Sequence, residues 1–126
     1  MNVTGIDHVV LYVADPVEAA AFYGDVLDGE VLPYGDGWRA VHLGETRINF
    51  RPDDADAYLV AEAPTAGAGD VCLVTDDAID DVADRLDDRG VEVVEGPVER
   101  QGARGAMTSV YFYDPEGNLV EVAEYE

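Results

Sequence analysis

The chain repeats itself, and the repeat limits the folds open to it. Asp7-His8-Val9-Val10-Leu11-Tyr12-Val13 and Asp70-Val71-Cys72-Leu73-Val74-Thr75 both have the apolar, β-branched make-up of a strand. His8 and Asp70 stand 62 positions apart, and so do two helix-capping candidates, Asp15 and Asp77. After the first strand, Asp15 offers an N-cap, Pro16 suits the first helical position, and Glu18 completes a capping-box-like arrangement. Ala20, Tyr23, Gly24 and Leu27 follow helical spacing, and Gly29 marks the helix end. A strand over Glu30–Pro33 follows, then Arg39–Leu43 and Thr46–Arg51 around the short turn Gly44-Glu45. In the second copy Asp77 is the expected cap, Ile79, Val82, Ala83 and Leu86 make an apolar stripe, and Gly90 ends the helix. Val91–Val94 reads as the next strand, and Ser109–Tyr113 and Asn118–Glu124 flank the turn Asp114-Pro115-Glu116-Gly117. Each half is therefore β-α-β-β-β, an α+β pattern. Modules of about 1–52 and 69–126 are joined by a linker over 53–68, with one helical turn expected near Ala55–Val60. We expect a single domain over 1–126, because neither half alone could bury its sheet face.

Strand side chains alternate between two faces. Val9, Leu11 and Val13 share one face; His8, Val10 and Tyr12 share the other. Ile48 and Phe50 oppose Arg47, Asn49 and Arg51; Val71 and Leu73 oppose Asp70, Cys72 and Val74; Val120 and Val122 oppose Glu121. Each strand thus has an aliphatic face suited to a helix and a second face that carries the polar groups. If the second faces look inward, one imidazole and two carboxylates converge on one cavity. Uncompensated buried charge is costly, and a divalent cation is its usual compensation. The alternative is that these residues are ordinary surface charge, which would hold for an isolated Asp or Glu in so acidic a chain. The equivalent positions of His8 and Asp70 at the heads of equivalent strands favour the site.

The charge balance excludes several partners. Acidic residues number 28 against 7 basic ones, all Arg, for a net charge of -21. Such self-repulsion destabilises a compact state at low salt, whereas at about 1 M salt the screening length falls to roughly 3 Å. The composition predicts a salt-rich cytoplasm. A nucleic-acid partner is not expected, since phosphates would be repelled. The single Cys72 cannot form an internal disulfide, no stretch approaches a membrane span, and no signal peptide is expected at Met1-Asn2-Val3-Thr4-Gly5.

Asp7–Val13, Phe22-Tyr23 with Val26-Leu27-Asp28-Gly29, and Asp114-Pro115-Glu116-Gly117-Asn118-Leu119-Val120-Glu121 resemble the vicinal oxygen chelate superfamily of glyoxalase I, extradiol dioxygenases, fosfomycin-resistance enzymes and bleomycin-binding proteins. Gly96–Gly105 and Asp70–Thr75 resemble its branch of small glyoxalase-domain and virulence-associated proteins. The resemblance covers nearly the whole chain. It implies a curved, cup-shaped mixed sheet with the helices outside, and a homodimer. It implies that His8, Asp70 and Glu121 are metal ligands, with Glu121 also catalytic. Asp70 stands where many members have a second His, which shifts the donor set toward harder ions. The branch often has a His at position 51; Arg51 cannot ligate, so a fourth ligand from that strand would be Asn49 or absent. The metal is a divalent ion among Mn, Fe, Ni, Zn and Mg.

Arg47, Arg51, Asn49, Tyr111 and Arg104 are the candidate substrate-binding residues, since a guanidinium fork suits carboxylate or phosphate. Pairing of Arg47 and Arg51 with the abundant carboxylates is the competing expectation. Tyr12, Trp38, Tyr111 and Tyr113 are candidate aromatic walls, His42 reads as a structural His or one reaching the cavity, and Cys72 as a small buried residue. Gln101–Gly105 is a candidate covering loop. The expected activity is that of a metal-dependent enzyme on a small oxygenated substrate, isomerase- or lyase-like rather than an extradiol dioxygenase, with thiol transfer a further variant. The alternative is a metal-free small-molecule binding protein of the bleomycin-resistance kind. A third reading is a regulatory module that kept the fold and lost the site.

Overall fold

A computed structural model of the protein describes residues 1–35, 37–54 and 59–126. The chain forms two compact units, Met1–Ala68 and Gly69–Glu126. The first holds β1 (His8–Val13), α1 (Pro16–Leu27), β2 (Glu30–Tyr34), β3 (Trp38–Leu43) and β4 (Thr46–Pro52). The second holds β5 (Asp70–Val74), α2 (Ile79–Asp88), β6 (Glu95–Gly102), β7 (Gly105–Tyr113) and β8 (Leu119–Tyr125). The β-α-β-β-β order of both halves is therefore present, with a four-stranded mixed sheet in each: β1-β4-β3-β2 and β5-β8-β7-β6. The first strand of each unit runs parallel to the last, and the other pairs are antiparallel. Parallel neighbours need a long connection, and the helix and two intervening strands supply it.

In the first unit, Asp15 Oδ1 accepts from the Val17 and Glu18 N–H groups, each at 3.1 Å, while Pro16 occupies a position whose N–H would have no partner. The helix ends one residue before the glycine expected to end it: Asp28 takes the left-handed conformation (φ 57). Aspartate tolerates that region through local hydrogen bonding. Gly29 is required for a different reason, since a Cβ there would collide with Val41 and lie 2.9 Å from Leu43. Ala19, Ala20, Tyr23 and Val26 of α1 are buried, as are Val13, Val41, Ile48 and Phe50 of the sheet. The Tyr23 and Phe50 rings sit 5.2 Å apart. Each large side chain so buried contributes about 1.5–3 kcal/mol.

The second unit departs from expectation at three places. Asp77 does not cap α2. Its own N–H donates to Thr75 Oγ1 (3.0 Å), Ala78 is the N-cap, and Glu124 Oε1 on β8 accepts the Ile79 N–H at 3.0 Å. Val91–Val94 is not a strand. Only Val94 reaches the ladder, its N–H donating to Tyr111 O at 2.8 Å. The strand is β6, whose register shifts between Glu95 and Val98 before regular pairing resumes. Gln101–Gly105 is a tight hairpin rather than a loose loop: Gly102 pairs with Gly105, and Ala103-Arg104 form the tip. A Cβ at Gly102 would collide with the Tyr125 hydroxyl.

Gly90 (φ 73) follows α2, with Gly90 N–H on Asp87 O (2.9 Å) and Val91 N–H on Leu86 O (2.8 Å), a Schellman end. Ile79 and Leu86 are buried on the α2 side, with Val110, Phe112, Val120 and Val122 from the sheet. Most of the helical turn expected near Ala55–Val60 lies outside the described residues; Leu59 and Val60 are not helical. Among the described residues no helix is long and apolar enough to cross a membrane.

Candidate functional site

The observed registers show which side chains share each sheet's polar face. In the first unit, His8 pairs with Arg47, Val10 with Asn49 and Tyr12 with Arg51 across β1–β4. His42 pairs with Arg47 and Ala40 with Asn49 across β3–β4. His8 is exposed at the head of β1, its Nδ1 2.8 Å from Asp7 Oδ1. His42 is exposed too, so it does not behave as a buried structural His.

Arg47 and Arg51 do not meet carboxylates among the described residues. Arg47 Nε donates to Asn49 Oδ1 (3.0 Å), and Asn49 is buried. Arg51 donates to the Tyr34 hydroxyl from Nε (2.9 Å) and Nη2 (2.7 Å), and to Leu59 O from Nη1 (2.9 Å). Its guanidinium carbon also lies 5.7 Å from the Tyr34 ring and 5.4 Å from the Trp38 ring, and that of Arg47 lies 5.7 Å from Tyr34. Two cations thus gather around one phenol, stabilised by its ring face and oxygen.

In the second unit, Cys72 and Tyr111 both pair with Glu121, from β5 and β7 on either side of β8. Asp70 lies two residues before Cys72 and so on the same face; it is exposed. Cys72 is exposed as well, correcting the expectation that it is buried: among the described residues β5 is the edge strand of its sheet, beside β8. Partial desolvation against the sheet, then the charge and hydrogen bonding of Glu121, then Asp70, push the Cys72 thiol up to about 11. Desolvation also raises the Tyr111 hydroxyl; Glu121 adds to the rise and Arg100 opposes it.

Two buried side-chain oxygens have no hydrogen-bond partner among the described residues, Glu121 Oε2 and Ser109 Oγ. Both lie on this face, because Ser109 pairs with Ala123 two positions from the Tyr111–Glu121 pair. An unpartnered buried carboxylate oxygen forfeits roughly 1–3 kcal/mol, and more when charged.

An open cleft of about 560 Å³ adjoins these residues, lined by Val94, Glu95, Arg100, Tyr111, Tyr113 and Leu119. Tyr111 is thus the expected substrate-binding residue that does line a cavity. Arg104 does not line it: its guanidinium carbon stands 4.4 Å from the Tyr125 ring and its N–H donates to the Tyr125 hydroxyl at 3.2 Å. Among the described residues no three His, Cys, Asp or Glu side chains form a group able to hold a metal ion.

Residues 5–122 match the family model of the Glyoxalase/Bleomycin resistance protein/Dioxygenase superfamily. The chain belongs to that superfamily. Within it, the chain is 37% identical over 125 residues to virulence protein STM3117 of Salmonella typhimurium, covering 99% of this chain and 87% of that protein. The structure of an integron cassette protein from the mobile metagenome of V. cholerae superposes with a TM-score of 0.95 at 39% identity, covering 100% of this chain and 98% of that one. A lactoylglutathione lyase from Agrobacterium tumefaciens superposes with a TM-score of 0.77 at 28% identity, covering 98% and 95%.

Sequence reasoning missed Arg100, Glu95 and Ser109. Arg100 stands in a Gly- and Pro-containing stretch with no alternation, so its face is legible only once the β6–β7 register is known. Ser109 carried a detectable signal, a small hydroxyl two residues before Tyr111 and so on the same strand face.

Proposed function

We propose that this superfamily member is a metal-dependent enzyme acting on a small oxygenated substrate by isomerase- or lyase-like chemistry, with His8, Asp70 and Glu121 as the metal ligands of one 1–126 domain. The observation that carries the proposal is Glu121 Oε2, a buried carboxylate oxygen with no hydrogen-bond partner among the described residues, on a carboxylate whose hydrogen bonding otherwise reaches Cys72 and Tyr111. A divalent cation is the partner such an oxygen lacks. The neighbouring thiol is raised first by desolvation and then by Glu121 and Asp70, so negative charge at this face is felt there too. On this test Glu121 fits a metal; His8 and Asp70 are exposed and form no metal-holding group with it among the described residues, so they enter the proposal on donor chemistry alone, one imidazole and two carboxylates suiting a hard or borderline ion. The preference for isomerase- or lyase-like chemistry over dioxygenation rests on Asp70, a carboxylate where many members have a second His, which turns the donor set toward harder ions.

When bound, the cation supplies Lewis-acid polarisation of the substrate's oxygens. Glu121 then holds and returns the proton that moves between neighbouring carbons, as carboxylate base and carboxylic acid in turn. Tyr111, opposite Glu121, orients the substrate through its hydroxyl. Arg47, Asn49 and Arg51 are a second candidate set of substrate contacts. A cytoplasmic homodimer in a salt-rich cell completes the proposal.

Elemental analysis of protein prepared without chelators, beside Glu121→Ala, tests it. A near-stoichiometric divalent ion is expected, its affinity falling in the variant by more than the roughly 10–100-fold that outer-shell partners cost. No bound metal after reconstitution with Mn²⁺, Fe²⁺, Ni²⁺ and Zn²⁺ would overturn it in favour of a metal-free binding protein. The cleft at Arg100 and Tyr111 is the observation that favours that second reading.

A further inference from the structure

The cleft in the second unit has a composition that selects its ligand. At about 560 Å³ it falls within the range of small-molecule sites. Its walls are two phenol rings, Val94 and Leu119, with Arg100 and Glu95 as its charged groups. Tyr113 is 54% and Val94 42% exposed, so apolar surface at the cleft faces water.

Arg100 is anchored but not used up. Its Nε donates to the Tyr111 hydroxyl (3.1 Å), its Nη1 to Glu99 O (3.0 Å), and its guanidinium carbon lies 5.5 Å from the centre of the Tyr111 ring. Its Nη2 has only Glu95 Oε1, at 3.7 Å, too far for a hydrogen bond. The Nη1–Nη2 edge therefore keeps donors for a planar, two-oxygen acceptor. A guanidinium already fixed in place loses little freedom on meeting one.

We propose that this cleft binds a small aromatic carboxylate, its two oxygens on the Nη edge of Arg100 and its ring against Tyr111 and Tyr113. A flat π-system suits phenol walls by offset or edge-on stacking. Glu95 is then an internal competitor, a tethered carboxylate resting near the position the ligand's own carboxylate takes. Binding needs no metal; only the identity of the bound molecule as substrate rests on the proposed function above.

Benzoate and benzamide are the probes, alike in ring and size but not in charge. Each is titrated into the full chain, stripped of metal by chelator, and followed by ¹H–¹⁵N NMR. Benzoate is expected to shift the Arg100 Nε–H and the amides of Val94, Glu95, Tyr111 and Tyr113, and to bind at least about tenfold more tightly than benzamide, in line with a charge-assisted pair. Arg100→Gln removes that preference. Glu95→Gln strengthens benzoate binding several-fold, an effect that loss of a merely structural ion pair would not produce. Equal binding of the two probes, no saturable shift by benzoate, shifts centred on Arg47 and Arg51, or a Glu95→Gln variant that binds benzoate more weakly would each overturn the proposal. Because no metal is present, failure here leaves the metal assignment to its own test.

Discussion

The two units share one topology and use their polar faces in opposite ways. In the first, Arg51 is satisfied at home on Tyr34 and Leu59 from all three nitrogens and Arg47 is tied through Nε to Asn49, with ring faces beneath both. In the second, Glu121 Oε2 and Ser109 Oγ are buried and unsatisfied, and Arg100 keeps donors to spare. A duplicated backbone thus fixes where polar residues sit, while the neighbouring side chains decide whether they are finished contacts or open valences. Open valences are where a ligand gains most, because the desolvation cost of those groups has already been met by folding.

The helices differ as sharply. α1 carries Glu18 and Asp25 as its only charges, whereas α2 carries Asp80, Asp81, Asp84, Asp87 and Asp88 against Arg85. Salt is therefore the largest lever on the comparison. Stability is expected to rise steeply from dilute buffer to molar KCl as the screening length falls to about 3 Å. Hydrogen-exchange protection should rise more in α2 than in α1. Equal gains in both helices would break the contrast, and no dependence on salt would remove the high-salt proposal.

The caps come next in size. Asp15→Ala and Glu124→Ala should each cost about 1 kcal/mol in urea unfolding, the usual worth of an N-terminal cap. They should differ in reach. Asp15 serves its own helix, so only α1 frays; Glu124 sits on β8, so exchange should quicken in α2 and at that end of β8 alike.

The smallest effect belongs to Cys72. Its thiol is raised in the folded chain to about 11, so its contribution to stability is fully present below the unfolded thiol's value. That contribution is lost as pH rises through the alkaline window toward 11, where the unfolded chain ionises first. At pH 8 in chelator-treated protein the exposed thiol should react slowly with iodoacetamide, its thiolate fraction cut on the order of 100-fold. Glu121→Gln should speed the reaction by removing the nearer charge. Ordinary reactivity in the parent would break the raised thiol altogether, and an unchanged rate in Glu121→Gln would leave desolvation as its main cause.

Much of this was legible in the residues. The shared spacing of His8 with Asp70 and of Asp15 with Asp77 identified the repeat, and alternation placed Arg47, Asn49, Arg51, Cys72 and Glu121 on the polar faces. The misses have a common cause. The α2 cap comes from Glu124, 45 positions away, the exposure of Cys72 follows from an edge location, and β6 is a strand only because β7 offers it a partner. Each depends on which elements meet, which local pattern does not carry. Arg100 and Ser109 were missed for the same reason, whereas Glu121, on a cleanly alternating strand, was not.

Parallel pairing of first strand with last also sets an order of events during synthesis. Among the described residues β1 has β4 as its one ladder neighbour, and β5 has β8. Neither opening strand can find its register until the closing strand of its own unit has been made, so β1 waits on residues 39 places downstream (His8 to Arg47) and β5 on residues 49 places downstream (Asp70 to Leu119). Such distant pairings form late and slow the search. The unpaired interval is longest for β5, whose exposed thiol and alternating Val71 and Leu73 wait until Leu119–Tyr125 emerges.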